Sequence, residues 1–124
     1  MSHFATVKLL IFDLEELKIC LRELGYTIIS DTTIRGYGNS NQTVDLAVST
    51  SGYPIGFRKN FTGEYEVLAD WWGVKGTNEK EFTTKLKTTY SERKVIKFAN
   101  KNKYIINKSA DKNGTRIELV RRVY

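Results

Sequence analysis

One cysteine, one histidine, one proline and one methionine in 124 residues remove most of the usual vocabulary of catalytic and disulfide-stabilised chains. Cys20 alone cannot close an internal disulfide, which suits a reducing compartment. It lies at the edge of a leucine stripe, where a buried structural thiol is the default. His3 sits at the very start, and general-base work needs a positioned partner, so it reads as a strand-end hydrogen-bonder. With no second His or Cys, zinc or iron–sulfur ligation by this chain alone is implausible. Gly36-Tyr37-Gly38 lacks the helix that a phosphate-binding glycine loop must open, and reads as a turn. Nucleophile elbows and Walker lysines are absent, so no cofactor is expected. No apolar run approaches the ~20 residues that span a bilayer, and no membrane insertion is expected. The opening reads as strand rather than as a secretory or transit leader, so the protein is expected to work where it is made.

What is present suits one small globular domain, residues 1–124: 40% of the chain is hydrophobic, enough for a core. The net charge of +6 is unevenly spread. Residues 1–70 hold 6 basic and 9 acidic side chains, whereas residues 71–124 hold 14 and 5. So basic a second half could favour an anionic partner such as RNA, an acidic protein or a membrane surface. Its 13 Lys against 7 Arg over the chain, with many Asn and Ile, equally fit AT-rich coding without selection for binding.

Punctuation defines the elements. His3 to Ile11 alternates as a first strand. Asp13 and Glu16 form a capping box, Phe12 and Leu17 occupy the staple positions, and Leu14, Leu17, Leu21 and Leu24 make one helical stripe that stops at Gly25. Tyr26–Tyr37 reads as one strand interrupted near Asp31, or as two short ones. After the turn at Gly38–Asn41 come Thr43–Thr50, Tyr53–Arg58 and Glu64–Trp72, joined by short turns as an antiparallel meander. Asn78 and Glu81 cap a second helix running to about Asn102. A final hairpin turns at Asn113-Gly114. The expected fold is α+β, an antiparallel meander sheet with two helices packed on one face, in the order β-α-β-β-β-β-α-β-β.

The adjacent Trp71 and Trp72 are the most informative pair. Strand alternation sends them to opposite faces, so one anchors in the core and the other needs a second explanation. Placing Ile34, Val44, Leu46, Val48, Tyr53, Ile55, Phe57, Tyr65, Val67 and Ala69 inward leaves Arg35, Tyr37, Asp45, Ala47, Gly56, Arg58, Glu66, Leu68, Asp70 and Trp72 outward. Small residues at Ala47 and Gly56 would leave a shallow groove between charged and aromatic side chains. Arginines beside an indole suit carboxylate, phosphate or a stacked base. The plainer alternative is a ladder of cross-strand ion pairs worth ~0–1 kcal/mol each, though that leaves Trp72 unexplained. A magnesium site at Glu66 and Asp70 is a remoter option, with too few convergent oxygens.

Met1-Ser2-His3-Phe4, Ile34-Arg35-Gly36-Tyr37, the stretch from Gly52 to Arg58 and Leu68-Ala69-Asp70-Trp71-Trp72-Gly73-Val74 together resemble the family of hypothetical chloroplast reading frame 35 of plastids and cyanobacteria. The likeness covers the whole chain. It implies a location, plastid stroma or cyanobacterial cytoplasm, and no established activity. It also implies that His3, Arg35, Arg58, Asp70, Trp71 and Trp72 belong to the family's motif blocks, with roles unassigned.

The binding candidates are therefore Arg35, Tyr37, Arg58, Asp70 and Trp72. The first expectation is a non-catalytic binding or accessory module that holds a plastid protein. A second is RNA binding, with Lys85, Lys94, Lys97, Arg121 and Arg122 on phosphates and Trp72 or Tyr37 stacking. A third is an enzyme that grips a small anionic substrate with Arg35 and Arg58 and uses Asp70 as acid or base. The sequence leaves the oligomeric state open.

Overall fold

A computed structural model describes residues 4–38, 40–101, 104–111 and 114–121. His3, Asn39, Asn113 and Arg122, which entered the expectations above, lie outside the described residues. Strand β1 (Ala5–Lys8) is followed by helix α1 (Leu14–Glu23) and strands β2 (Ile28–Arg35), β3 (Asn41–Val48), β4 (Ile55–Lys59) and β5 (Tyr65–Ala69). A single 3-10 turn (Trp71–Gly73), helix α2 (Glu79–Lys101) and strands β6 (Tyr104–Asp111) and β7 (Gly114–Arg121) complete the chain. The class is α+β, in the order read from the sequence.

Both helices start where their caps require. Asp13 Oδ1 accepts the backbone N–H groups of Glu15 (2.9 Å) and Glu16 (3.3 Å), satisfying donors that a helix start otherwise leaves open. Asn78 Oδ1 does the same for Glu81 at 2.8 Å. Helix α1 buries Leu17, Cys20 and Leu21 completely. Phe12, expected to staple onto Leu17, is instead largely exposed.

The chain divides into two compact units, Met1–Lys87 and Thr88–Tyr124, with α2 running from the first into the second. The second unit holds the antiparallel pair β6–β7, in register from Tyr104↔Arg121 to Asp111↔Gly114. The first unit holds a five-stranded antiparallel sheet in the order β1-β5-β4-β3-β2, so the meander of β2 to β5 is extended by β1 alongside β5.

Register fixes which side chains share a face. Val7, Val67, Phe57 and Leu46 form one cross-strand row, and Ile55 lies opposite Val48 in the next. Phe57, Leu46, Val48, Ile55 and Val67 are fully buried, with Phe82 of α2 set against Phe57 at 6.0 Å between ring centroids. Thr6, Leu68, Gly56 and Ala47 form the row on the reverse side.

That reverse side is where the sequence expectation fails. Ile34 and Val44, expected on the Phe57 face, pack instead with Ala47 and Leu68, joined by Phe4. The cause is local. The β3–β4 ladder covers only residues 46–48 of β3, and beyond it the Asp45 carboxylate accepts the Lys59 N–H at 2.8 Å in place of a backbone carbonyl. Beyond that ladder, Ile34 and Val44 of the β2–β3 hairpin lie against the reverse face, and the strong twist of a two-stranded ribbon can carry them there. A Cβ on Gly56 would lie 2.6 Å from Val44 Cγ1 and 2.8 Å from Ile34 Cδ1. The expected groove over Ala47 and Gly56 is therefore filled by the chain itself, and this small second core leaves Leu68 only 3% exposed.

Candidate functional site

Strand β5 ends at Ala69, and the two tryptophans leave it on a 3-10 turn rather than on a pleat. Successive residues of such a turn point about 120° apart, so the rings still diverge. Trp71 turns inward, its ring 5.9 Å from that of Phe82. Trp72 is 67% exposed. The separation expected of the two indoles is present, but its geometric cause is different.

Two other segments bring rings to Trp72. Tyr37, just past the end of β2, meets it edge-on with centroids 5.7 Å apart and planes at 85°. Tyr53, in the bend before β4, lies 6.2 Å away and tilted by 54°. The Arg35 guanidinium sits 5.4 Å above the Tyr53 ring, within cation–π range. Tyr53 had been expected on the core face with Ile55 and Phe57. Pro54 stands between them, β4 begins only at Ile55, and alternation does not reach back to Tyr53. That proline was the available signal.

Hydrogen bonds tie the ring-bearing segments to one another and brace each internally. Asp70 Oδ2 accepts the Tyr37 N–H at 2.9 Å, and the Gly73 N–H donates to the Asp70 carbonyl at 3.1 Å. The Tyr53 N–H donates to the Gly73 carbonyl at 2.7 Å, while the Thr50 hydroxyl donates to the Tyr53 carbonyl at 2.7 Å. Gly73 is required by this closeness, because a Cβ there would overlap the Tyr53 ring. Three loops are thus laced into one surface that carries Tyr37, Tyr53 and Trp72.

Of the candidates from the sequence, the structure assembles Arg35, Tyr37 and Trp72 and adds Tyr53. Asp70 is present but 1% exposed, beneath the surface, where it anchors Tyr37. Arg58 stands apart: it is opposite Glu66 near the far end of β4, three residues or about 10 Å of strand beyond Ile55, where β4 begins after the Tyr53 bend. Arg35 and Arg58 therefore do not converge on one small anion. Nor do Glu66 and Asp70 on one cation, being four residues or about 13 Å of strand apart. Of the acids in the alternative ion-pair ladder, Asp45 accepts the Lys59 N–H, Glu66 accepts from the Asn60 amide and Asp70 accepts the Tyr37 N–H among the described residues.

Charge around the rings is one-sided. Residues 35–41, 49–54 and 71–78 contain Arg35 and Lys75 but no Asp or Glu. Yet residues 1–87 as a whole hold 10 basic and 11 acidic side chains.

These features define a small α+β protein with an aromatic face flanked by positive charge. The chain belongs to the family described as protein of unknown function (DUF1257), which matches residues 20–120. The "Uncharacterized protein ycf35" of Guillardia theta is 29% identical over 119 residues, 92% of this chain and 91% of its own. This agrees with the resemblance read from the motif blocks. No solved structure gives a significant match.

Proposed function

We propose that the protein is a non-catalytic binding module that holds a protein partner on the surface around Trp72, in a plastid or a cyanobacterial cytoplasm. One observation carries this reading: an indole two-thirds exposed, braced by Tyr37 and Tyr53 on loops tied together beneath it. Exposing a large aromatic ring is unfavourable in isolation, while a rigid, preassembled aromatic surface lowers the ordering cost of binding. Aromatic residues and arginine are also the side chains most enriched at binding hot spots. Among the described residues no helix is long and apolar enough to cross a membrane.

The test is affinity capture with wild-type, Trp72→Ala and Arg35→Ala chains, melting temperatures measured in parallel. Loss of one shared partner from both variants at unchanged stability is the expected result. Retention of every partner, or collapse of stability in both variants, would return these residues to the architecture.

Charge partition favours RNA as a second reading. Residues 88–124 hold 10 basic and 3 acidic side chains, so the chain's positive excess lies in the second unit. Lys85, earlier a phosphate candidate, is in the first unit and bonds Glu81 at 2.9 Å. RNA binding through the second unit requires affinity that falls steeply with salt. Absence of binding to oligouridylate at low salt would eliminate it.

A further inference from the structure

We infer that the occupant of the Trp72 surface is an acidic protein segment, one that lays an aromatic or proline ring on the indole and directs a carboxylate to Arg35. This rests on the binding reading above and specifies its ligand. The first argument is charge. Acidic residues slightly outnumber basic ones in the first unit, yet the three segments that build the surface carry no acid except Asp70, which is buried beneath it. The cations there are Arg35 at one end of the ring row and Lys75, both exposed. An acid-free patch in a unit whose charges otherwise nearly balance is complementary to a negatively charged partner, since like charges facing each other across an interface are costly.

The second argument is the shape of that charge. Arg35 lies over the Tyr53 ring at 5.4 Å, and its guanidinium is a planar group whose N–H donors suit a carboxylate in a forked, two-bond geometry. A nucleic-acid strand needs a basic groove following its backbone over several nucleotides. Two cations beside three rings do not form one, and the remaining positive excess belongs to residues 88–124. One or two carboxylates next to a flat apolar side chain match what is present. Tyr37, Trp72 and Tyr53, at 5.7 and 6.2 Å spacings, supply the matching apolar area.

An array of capped dodecapeptides tests this, with net charge varied from about −4 to +4 and with or without tyrosine, tryptophan or proline. The full-length chain is the probe, and hits are titrated in solution by the anisotropy of a fluorophore attached to the peptide. Binding should rise with negative charge and require a ring. Trp72→Ala should weaken it by at least about tenfold. Arg35→Lys should restore only part of what Arg35→Ala loses, because an ammonium keeps the charge but not the planar fork.

Binding that is indifferent to charge or stronger for cationic peptides would overturn the inference. So would oligouridylate displacing the peptides from Trp72, which would assign the surface to nucleic acid. If the array fails while partner capture still depends on Trp72, the acidic ligand is wrong and the binding module stands. If capture is also independent of Trp72, both fall.

Discussion

Trp72 and Phe82, the ring that Trp71 turns toward, should differ sharply in what truncation costs. Trp72→Ala removes an exposed ring, so its effect on stability should stay within about 0.5–1 kcal/mol in a chemical melt. Phe82→Ala empties the position that touches Tyr26, Phe57 and Trp71, and should cost about 3–5 kcal/mol in the same assay. Asp70 belongs with the architecture. Replacing it by Ala strands the Tyr37 N–H that its carboxylate accepts, so about 1–3 kcal/mol of stability should go together with ligand binding. Separating these effects requires melts and binding curves on the same preparations. At this scale motif blocks and aromatic character picked out Trp72, Tyr37 and Arg35, which the fold brings to one surface. It misassigned Tyr53, because alternation was carried across Pro54.

At the scale of elements, the β2–β3 hairpin decides what the reverse face of the sheet can do. Gly56 is tightly covered by Val44 and Ile34, so Gly56→Ala should destabilise by about 1–3 kcal/mol through overpacking. Val44→Ala, itself destabilising alone, should recover part of that loss when combined with Gly56→Ala. A strictly additive double mutant would mean that the two side chains do not meet. The helices were legible because their signals are local: Asp13 and Asn78 cap within three residues, and Leu14, Leu17 and Leu21 repeat at helical spacing. The order of β2 to β5 was legible from the short turns, whereas the place of β1 beside β5 was not. The faces of β2 and β3 were not. Alternation assigns faces only while a strand stays in its sheet, and the departure begins at Asp45, whose carboxylate captures the Lys59 N–H. No sequence period encodes that bond.

Over the whole molecule, charge is divided more sharply than the +6 total suggests, from near balance in residues 1–87 to a strong excess in residues 88–124. Two kinds of salt response follow. Peptide affinity at the Trp72 surface should fall only modestly between 50 and 200 mM salt, since it involves one or two ion pairs. Any RNA affinity of the second unit should fall by orders of magnitude over the same range. Equal salt dependence for both ligands would mean a single electrostatic surface and no division of labour. The most direct measurement is the ratio of dissociation constants of wild-type and Trp72→Ala chains for the strongest array peptide, taken at matched thermal stability. A ratio of about ten or more is the result expected if the exposed indole is the docking point; a ratio near one would contradict it.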